Sequence, residues 1–165
     1  MRLLTVGHSH IPIARFIQLL GLHHIDTLID ARSQPQSRFA PQFNHKALQT
    51  SLEQAGLAYR YLGDKLGGRP KDPQYYLSDG AIDYRRLAQA PVYQEGLQEL
   101  RREAEESCVA LMCAEADFRK CHRYWLIARS LVEEGVEVQH ILPSGELLGT
   151  SPDEFISTPD QLSLF

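Results

Sequence analysis

Two thiols, a carboxylate, an imidazole and a guanidinium crowd into one short stretch of this chain: Cys113, Glu115, Cys121, His122 and Arg123. An apolar run from Val109 to Cys113 leads into the stretch. A helical pattern of Tyr124, Trp125, Ala128, Leu131 and Val132 leads out of it. That is the outline of a strand-to-helix turn, the place where open α/β sheets bind ligands. Each group has a chemistry. Glu115 can act as a general acid or base, or hold an arginine by a salt bridge. Cys113 is a candidate nucleophile. Arg123 offers a fork of donors to phosphate oxygens. A helix starting at Cys121 adds backbone N–H groups and a partial positive charge.

Several of these groups also have ordinary explanations. Cys113 to Arg119 matches the Cys-x5-Arg spacing of a phosphatase loop. However, Glu115 and Asp117 would repel the oxyanion, and the loop lacks glycines that let its N–H groups converge. Cys113 then reads as a small residue ending a buried strand, and Cys121 as a packed thiol facing the sheet. Cys113, Cys121, His122, His8 and His140 could together hold zinc. No close pair such as Cys-x2-Cys supports that, so neither a metal nor a cofactor is expected.

Three further groups fall where apolar runs end: Gly7-His8-Ser9, Asp30-Ala31-Arg32-Ser33 and His140. Asp30 and Arg32 read as ligand-facing, with a structural ion pair as the alternative. Arg38 follows in a polar loop. The elements that bring these groups together show in the periodicity. Strands are expected at Leu3–Val6, Ile25–Ile29, Ala58–Leu62, Cys108–Cys113 and Val136–Ile141. Helices are expected after Pro12, after an Asn44 N-cap, after Pro91 and from Cys121 to about Glu134. Gly145 to Leu148 reads as a short hairpin return. Alternating strands and helices imply right-handed crossovers. The expected fold is therefore a single three-layer α/β domain with a mostly parallel sheet of about five strands, flanked by helices, over residues 1–148. Residues 149–165 read as a flexible tail.

Taken in order, Gly7-His8-Ser9, Asp30-Ala31-Arg32-Ser33 with Pro35 and Ser37, Leu66-Gly67-Gly68, Cys113-Ala114-Glu115, Cys121-His122-Arg123, and His140-Ile141 with Gly145 resemble the DUF488 family. The resemblance runs from about Arg2 to Leu148. It implies the fold and the location of a site, not a reaction, because the family is a domain of unknown function. Asp117-Phe118 stands where the resemblance leads one to expect Asp-Pro.

The expected site is a pocket with Asp30, Glu115, Cys113 and His8 as catalytic candidates. Ser9, Arg32, Ser33, Arg38, His122, Arg123 and His140 are its ligand-binding candidates. Composition bounds the substrate. The chain has 165 residues, 43% apolar and 23% charged, with a net charge of −4. Such a chain has no global field for nucleic acid. Three cysteines without framework spacing, and a start that leads directly into a strand, lead one to expect a cytoplasmic protein without membrane spans.

The last residues supply a different route to DNA. Gln161-Leu162-Ser163-Leu164-Phe165 resembles the pentapeptide that binds the bacterial sliding clamp, with apolar side chains for pockets and an amide for hydrogen bonding. The expected function is a clamp-recruited, DNA-repair-associated protein. Its pocket binds or processes a phosphate, sugar or base of a nucleotide or nucleic acid, as a hydrolase or lyase would. A thiol- or metal-dependent small-molecule enzyme and a noncatalytic clamp-bound adaptor are the alternatives.

Overall fold

A computed structural model describes residues 1–156. Six strands form one sheet: β1 (Arg2–Gly7), β2 (Thr27–Asp30), β3 (Ala58–Tyr61), β4 (Val109–Cys113), β5 (Glu137–Ile141) and β6 (Leu147–Thr150). They lie in the order β3-β2-β4-β1-β5-β6. All neighbours pair in parallel except β5 and β6, which are antiparallel. The central strands are apolar on both faces because both faces are covered. β4 is buried at every position.

Two helices, α1 (Ile13–Leu22) and α2 (His45–Gln54), cover one face. Phe16, Leu19, Leu20, Leu48 and Leu52 pack there on Leu4, Val6, Leu28, Ala110 and Met112. Pro12 precedes α1 as expected. Asn44 precedes α2 without capping it. Its side-chain oxygen accepts instead from the Ser37 N–H at 2.7 Å and ties down the loop between β2 and α2.

The short helices α3 (Gly63–Leu66) and α4 (Tyr84–Ala88), with the long α5 (Pro91–Glu106), cover the opposite face. After β4 comes a π-helical turn, Arg123–Ala128, which runs into α6 (Arg129–Glu133). The sequence pattern predicts one amphipathic helix here. The structure instead buries all six residues of the π turn, wedged between the sheet, α4 and residues 152–155. With buried neighbours on every side, the turn has no polar face to show as a period.

The chain remains on the body past residue 148. β6 runs to Thr150, and Pro152–Phe155 forms a short 3-10 helix with a capping box at Ser151 and Glu154. Phe155 is buried against Tyr124 and Trp125, with ring centroids at 4.9 and 6.0 Å. Ser, Thr, Pro and Asp make this segment look like a tail, but one phenyl ring anchors it. No helix among the described residues is long and apolar enough to cross a membrane.

If residues 149–156 belong to the folded unit, Phe155→Ala should lower unfolding free energy by about 3 kcal/mol. Urea denaturation checks this. An unchanged midpoint would make the segment a passive tail.

Candidate functional site

Strands β2, β4 and β1 are neighbours, and their carboxyl ends lie side by side. The helix that follows β1 packs on one face of the sheet, and the helix that follows β4 packs on the other. The chain therefore diverges between these two strands and leaves a crevice at a topological switch point. A cavity of about 380 Å³ opens there, lined by His8, Ser9 and His10 after β1, Arg32 after β2, and Glu115 and Lys120 after β4. A larger groove of about 770 Å³ lies elsewhere, between α4 and α6 beside Arg86 and Trp125, and holds none of the strand-end groups.

Asp30 and Arg32 form the floor of the site. Arg32 donates from Nε and Nη2 to the two Asp30 oxygens at 2.9 and 2.8 Å, a bidentate pair. Nη2 also donates to the Phe43 carbonyl, and Nη1 to His8 Nε2 at 3.2 Å. Asp30 further accepts from the Arg32 N–H at 3.1 Å and the Tyr59 hydroxyl at 2.6 Å. Its carboxylate is fully buried and saturated. The structural ion pair is thus the arrangement found, and the Asp30 oxygens are already taken by partners within the fold. Burial, and then the Asp30 carboxylate, push the Tyr59 phenol above its ordinary pKa. One of the five Arg32 N–H groups, on Nη1, stays available to the crevice.

Because Arg32 donates to Nε2, His8 is a neutral imidazole whose Nδ1–H donates to the Ser9 carbonyl at 2.7 Å. Its ring stacks on Phe43 with centroids 4.5 Å apart. Burial lowers the His8 pKa below its ordinary value, and the Arg32 charge adds to that while the Ser9 carbonyl opposes it. Ser9 adopts φ 47°, a left-handed conformation unusual outside glycine and a strain common at ligand sites. The Ser9 N–H donates to the Ala114 carbonyl, which fixes that turn beside the β4 loop.

Glu115 is exposed and has no side-chain partner among the described residues. Its backbone is the part held in place. Arg123 is completely buried, and its Nη1 donates to the Glu115 carbonyl at 2.5 Å and its Nη2 to that of Ala116 at 3.4 Å. Arg123 is therefore a brace beneath the Glu115 loop, not a phosphate clamp. The close approach also explains Gly7, where a Cβ would lie 1.8 Å from the Glu115 carbonyl oxygen.

The remaining predicted groups point away from the crevice. Side chains alternate along a strand, and Cys113 shares its face with Val109 and Leu111, the face covered by α5 and the π turn. There it meets Cys121 and His122. His122 Nδ1 stands 3.6 Å from Cys113 Sγ and 3.7 Å from Cys121 Sγ, and Nε2 donates to the Ala31 carbonyl at 3.0 Å. The Cys121 thiol, then His122 and Arg123, pull the Cys113 pKa well below its ordinary value against burial. Burial and the Cys113 sulfur push Cys121 up. Burial is the largest influence on His122 and lowers its pKa, but the Cys113 sulfur and the Ala31 carbonyl together raise it above its ordinary value. The start of this helical segment offers no anion site. The Arg123 N–H donates to Cys121 Sγ, and the N–H groups of Tyr124 and Trp125 to the Cys121 carbonyl.

His140 also lies inside, on the same covered face, and not in the crevice. It bridges the hydroxyls of Thr5 and Thr150, both at 2.6 Å, and stacks on Phe118 at 3.8 Å. Ser33 accepts from the Arg69 N–H and secures the loop after α3, while Arg38 is exposed just outside the cavity lining. The motifs therefore locate the crevice but overfill it. They also miss His10, Gln34, Gln36 and Lys120, which line it from loops without periodicity. Residues 161–165 lie outside the described residues.

The fold is thus that of an α/β protein with a crevice of polar and charged groups at a switch point of its sheet. The family model described as Domain of unknown function DUF488 matches residues 12–130, and the chain belongs to that family. No curated protein and no solved structure matches the chain.

Burial first, then Arg123 and Arg119, hold the His140 pKa near 3, whereas an unfolded imidazole titrates at about 6.5. Between these values the unfolded chain binds more protons. The contribution of neutral His140 is complete above the upper value and is lost as pH falls toward the lower one. Stability measured across that window should fall less steeply for His140→Gln than for the parent. Parallel slopes would mean that His140 does not carry this dependence.

Proposed function

We propose that the crevice receives a phosphate, sugar or base of a nucleotide or nucleic acid and that Glu115 serves there as general acid/base in a hydrolase- or lyase-like reaction. One observation carries this reading. Two carboxylates line the cavity: Asp117 accepts the Arg119 N–H, while Glu115 has no side-chain partner among the described residues and stands beside Lys120, His10, Ser9 and the spare Arg32 N–H. The cations and hydroxyl suit an anionic or sugar-bearing group. The carboxylate sits where it can take a proton from water or give one to a leaving group. His8 and Asp30 are positioning residues, because both are engaged in holding Arg32. The backbone brace from Arg123 fixes the Glu115 loop without consuming its side chain.

Calorimetric titration with nucleoside monophosphates and a short single-stranded oligonucleotide tests the site. Binding is expected, and Lys120→Ala should weaken it about tenfold, the loss of one charge-assisted contact. Glu115→Gln should retain binding and abolish turnover of whichever nucleotide is processed. Failure of both probes to bind would overturn the reading.

Delivery to DNA belongs to the same proposal. An acidic chain gains little from its own field, but a clamp already threaded on DNA supplies a high local concentration. The support is the Gln161-Leu162-Ser163-Leu164-Phe165 sequence alone. Fluorescence titration of the full chain against a bacterial sliding clamp should give micromolar or tighter binding that disappears on deletion of 161–165. Equal binding, or none, by both forms would remove recruitment from the proposal.

A further inference from the structure

We propose that Cys113, Cys121 and His122 form a binding site for a thiophilic divalent cation, with zinc the best match, on the covered face of the sheet. The site goes beyond the crevice reading and uses none of its ligand-facing residues. The two thiol sulfurs and one imidazole nitrogen all lie within 4.8 Å of one another. Zinc binds sulfur at about 2.3 Å and imidazole nitrogen at about 2.05 Å, so a tetrahedral S–Zn–N edge spans about 3.6 Å. The two sulfur-to-Nδ1 distances are 3.6 and 3.7 Å. Two edges of the donor triangle thus match a zinc tetrahedron, and the third, sulfur to sulfur, is at most 4.8 Å.

The surroundings match such a site. Metal-bound imidazoles give their other N–H to a carbonyl or carboxylate, which fixes the tautomer. His122 does this through Nε2 to the Ala31 carbonyl, and the lone pair of Nδ1 then faces both sulfurs. Cys121 Sγ accepts the Arg123 N–H at 3.5 Å, a bond that favours a thiolate. Gly68 lies flat against the ring, where a Cβ would come within 2.6 Å of His122 Cγ and displace it. Cys113 and Cys121 are 6% and 3% exposed, and His122 is half-buried.

Without a cation, the Cys121 thiol and the His122 ring both hydrogen-bond the Cys113 sulfur, and a bound cation would take the place of those protons. A cation satisfies both sulfurs and the nitrogen together, and two thiolates balance a divalent charge. Three protein donors of the set Cys2His leave the fourth position to water or a substrate atom, the pattern of an open rather than a closed zinc site. The spacing Cys-x7-Cys-His hides this in the sequence because the close pair is made by a strand end and a helix start, not by a local knuckle.

The full chain, reduced and stripped with a chelator, is titrated with Co2+ and then Zn2+. The expected result is one Co2+ per chain, with strong visible bands of tetrahedral cobalt and a near-ultraviolet sulfur-to-cobalt charge-transfer band, erased by one equivalent of Zn2+. Cys121→Ser and His122→Asn should each weaken binding by at least about tenfold. Cys108→Ser should not change it, because Cys108 lies before β4, at the opposite end from Cys113, near the His23 carbonyl. Lys120→Ala should leave the spectrum intact, which separates this site from the crevice. Circular dichroism of each variant distinguishes lost ligands from lost fold. A weak octahedral spectrum without charge transfer would overturn the proposal. So would bands that survive in folded Cys121→Ser, or a Cys113–Cys121 disulfide in freshly reduced protein. Should that variant fail to fold, the spectrum of the parent chain still decides.

Discussion

The buried guanidinium of Arg123 is the interaction on which the strand ends depend. A fully buried cation costs several kcal/mol unless its donors are met, and no carboxylate pairs with this one among the described residues. Its donors go to Thr5 on β1 and to the carbonyls of Glu115 and Ala116 after β4. One side chain therefore joins β1 to the loop after β4 that rims the crevice. The glycine at Gly7 exists for the same contact, since any Cβ would meet the Glu115 carbonyl. Thr5 passes the network on to His140, and His140 to Thr150 on the edge strand. Polar groups in a covered layer are stable when every member is satisfied, and here the chain of bonds crosses β1, β5 and β6 in sequence.

A second network does the corresponding work on the other side of β4. Asp30 and Arg32 satisfy each other. Tyr59 and Tyr61, from the end of β3, hold the Asp30 carboxylate and the carbonyls of Arg32 and Ser33. Phe43 stacks on His8 and takes an Arg32 N–H through its carbonyl. The result is a rigid floor whose charges are already spent internally. Only a rim of exposed groups remains for chemistry. Such a division between a locked supporting shell and a small set of free groups is what precise positioning requires.

Much of this was legible from residue types. Apolar runs ending in polar clusters located five strands, and β6 falls on the expected hairpin return. Parallel order then brought Gly7-His8-Ser9, Asp30-Ala31-Arg32 and Cys113-Ala114-Glu115 together. What sequence could not supply was direction. His140 and Arg123 carry the same side chains whether they face a ligand or a carbonyl, and burial decides between them. The aromatic residues that hold the polar groups, Tyr59, Tyr61, Phe43 and Phe118, read as ordinary core. Phe155 sat among turn-forming residues, so its anchoring role left no periodic trace. Lys120 and His10 belong to loops, where position depends on the whole fold.

Crowding in sequence also suggested one cluster where the strand alternation makes two. Cys113 and Glu115 are two residues apart, but Cys113 is the last residue of the pleat and Glu115 lies beyond it in a loop. The first points under the π turn, and the second reaches the crevice. His122 and Arg123 divide in the same way, one toward the sulfurs and the other toward the Glu115 loop. A π turn is wider than an α turn and is common at functional positions. Here it starts at Arg123, directly after the histidine, and buries every side chain it carries. The two clusters are thus separate in their side chains but share one backbone step, His122 to Arg123. Displacement of the Glu115 loop would draw on Arg123, whose N–H rests on Cys121. Rigidity at that step keeps both arrangements in register, and this accounts for a buried arginine at a position where a leucine would pack more cheaply.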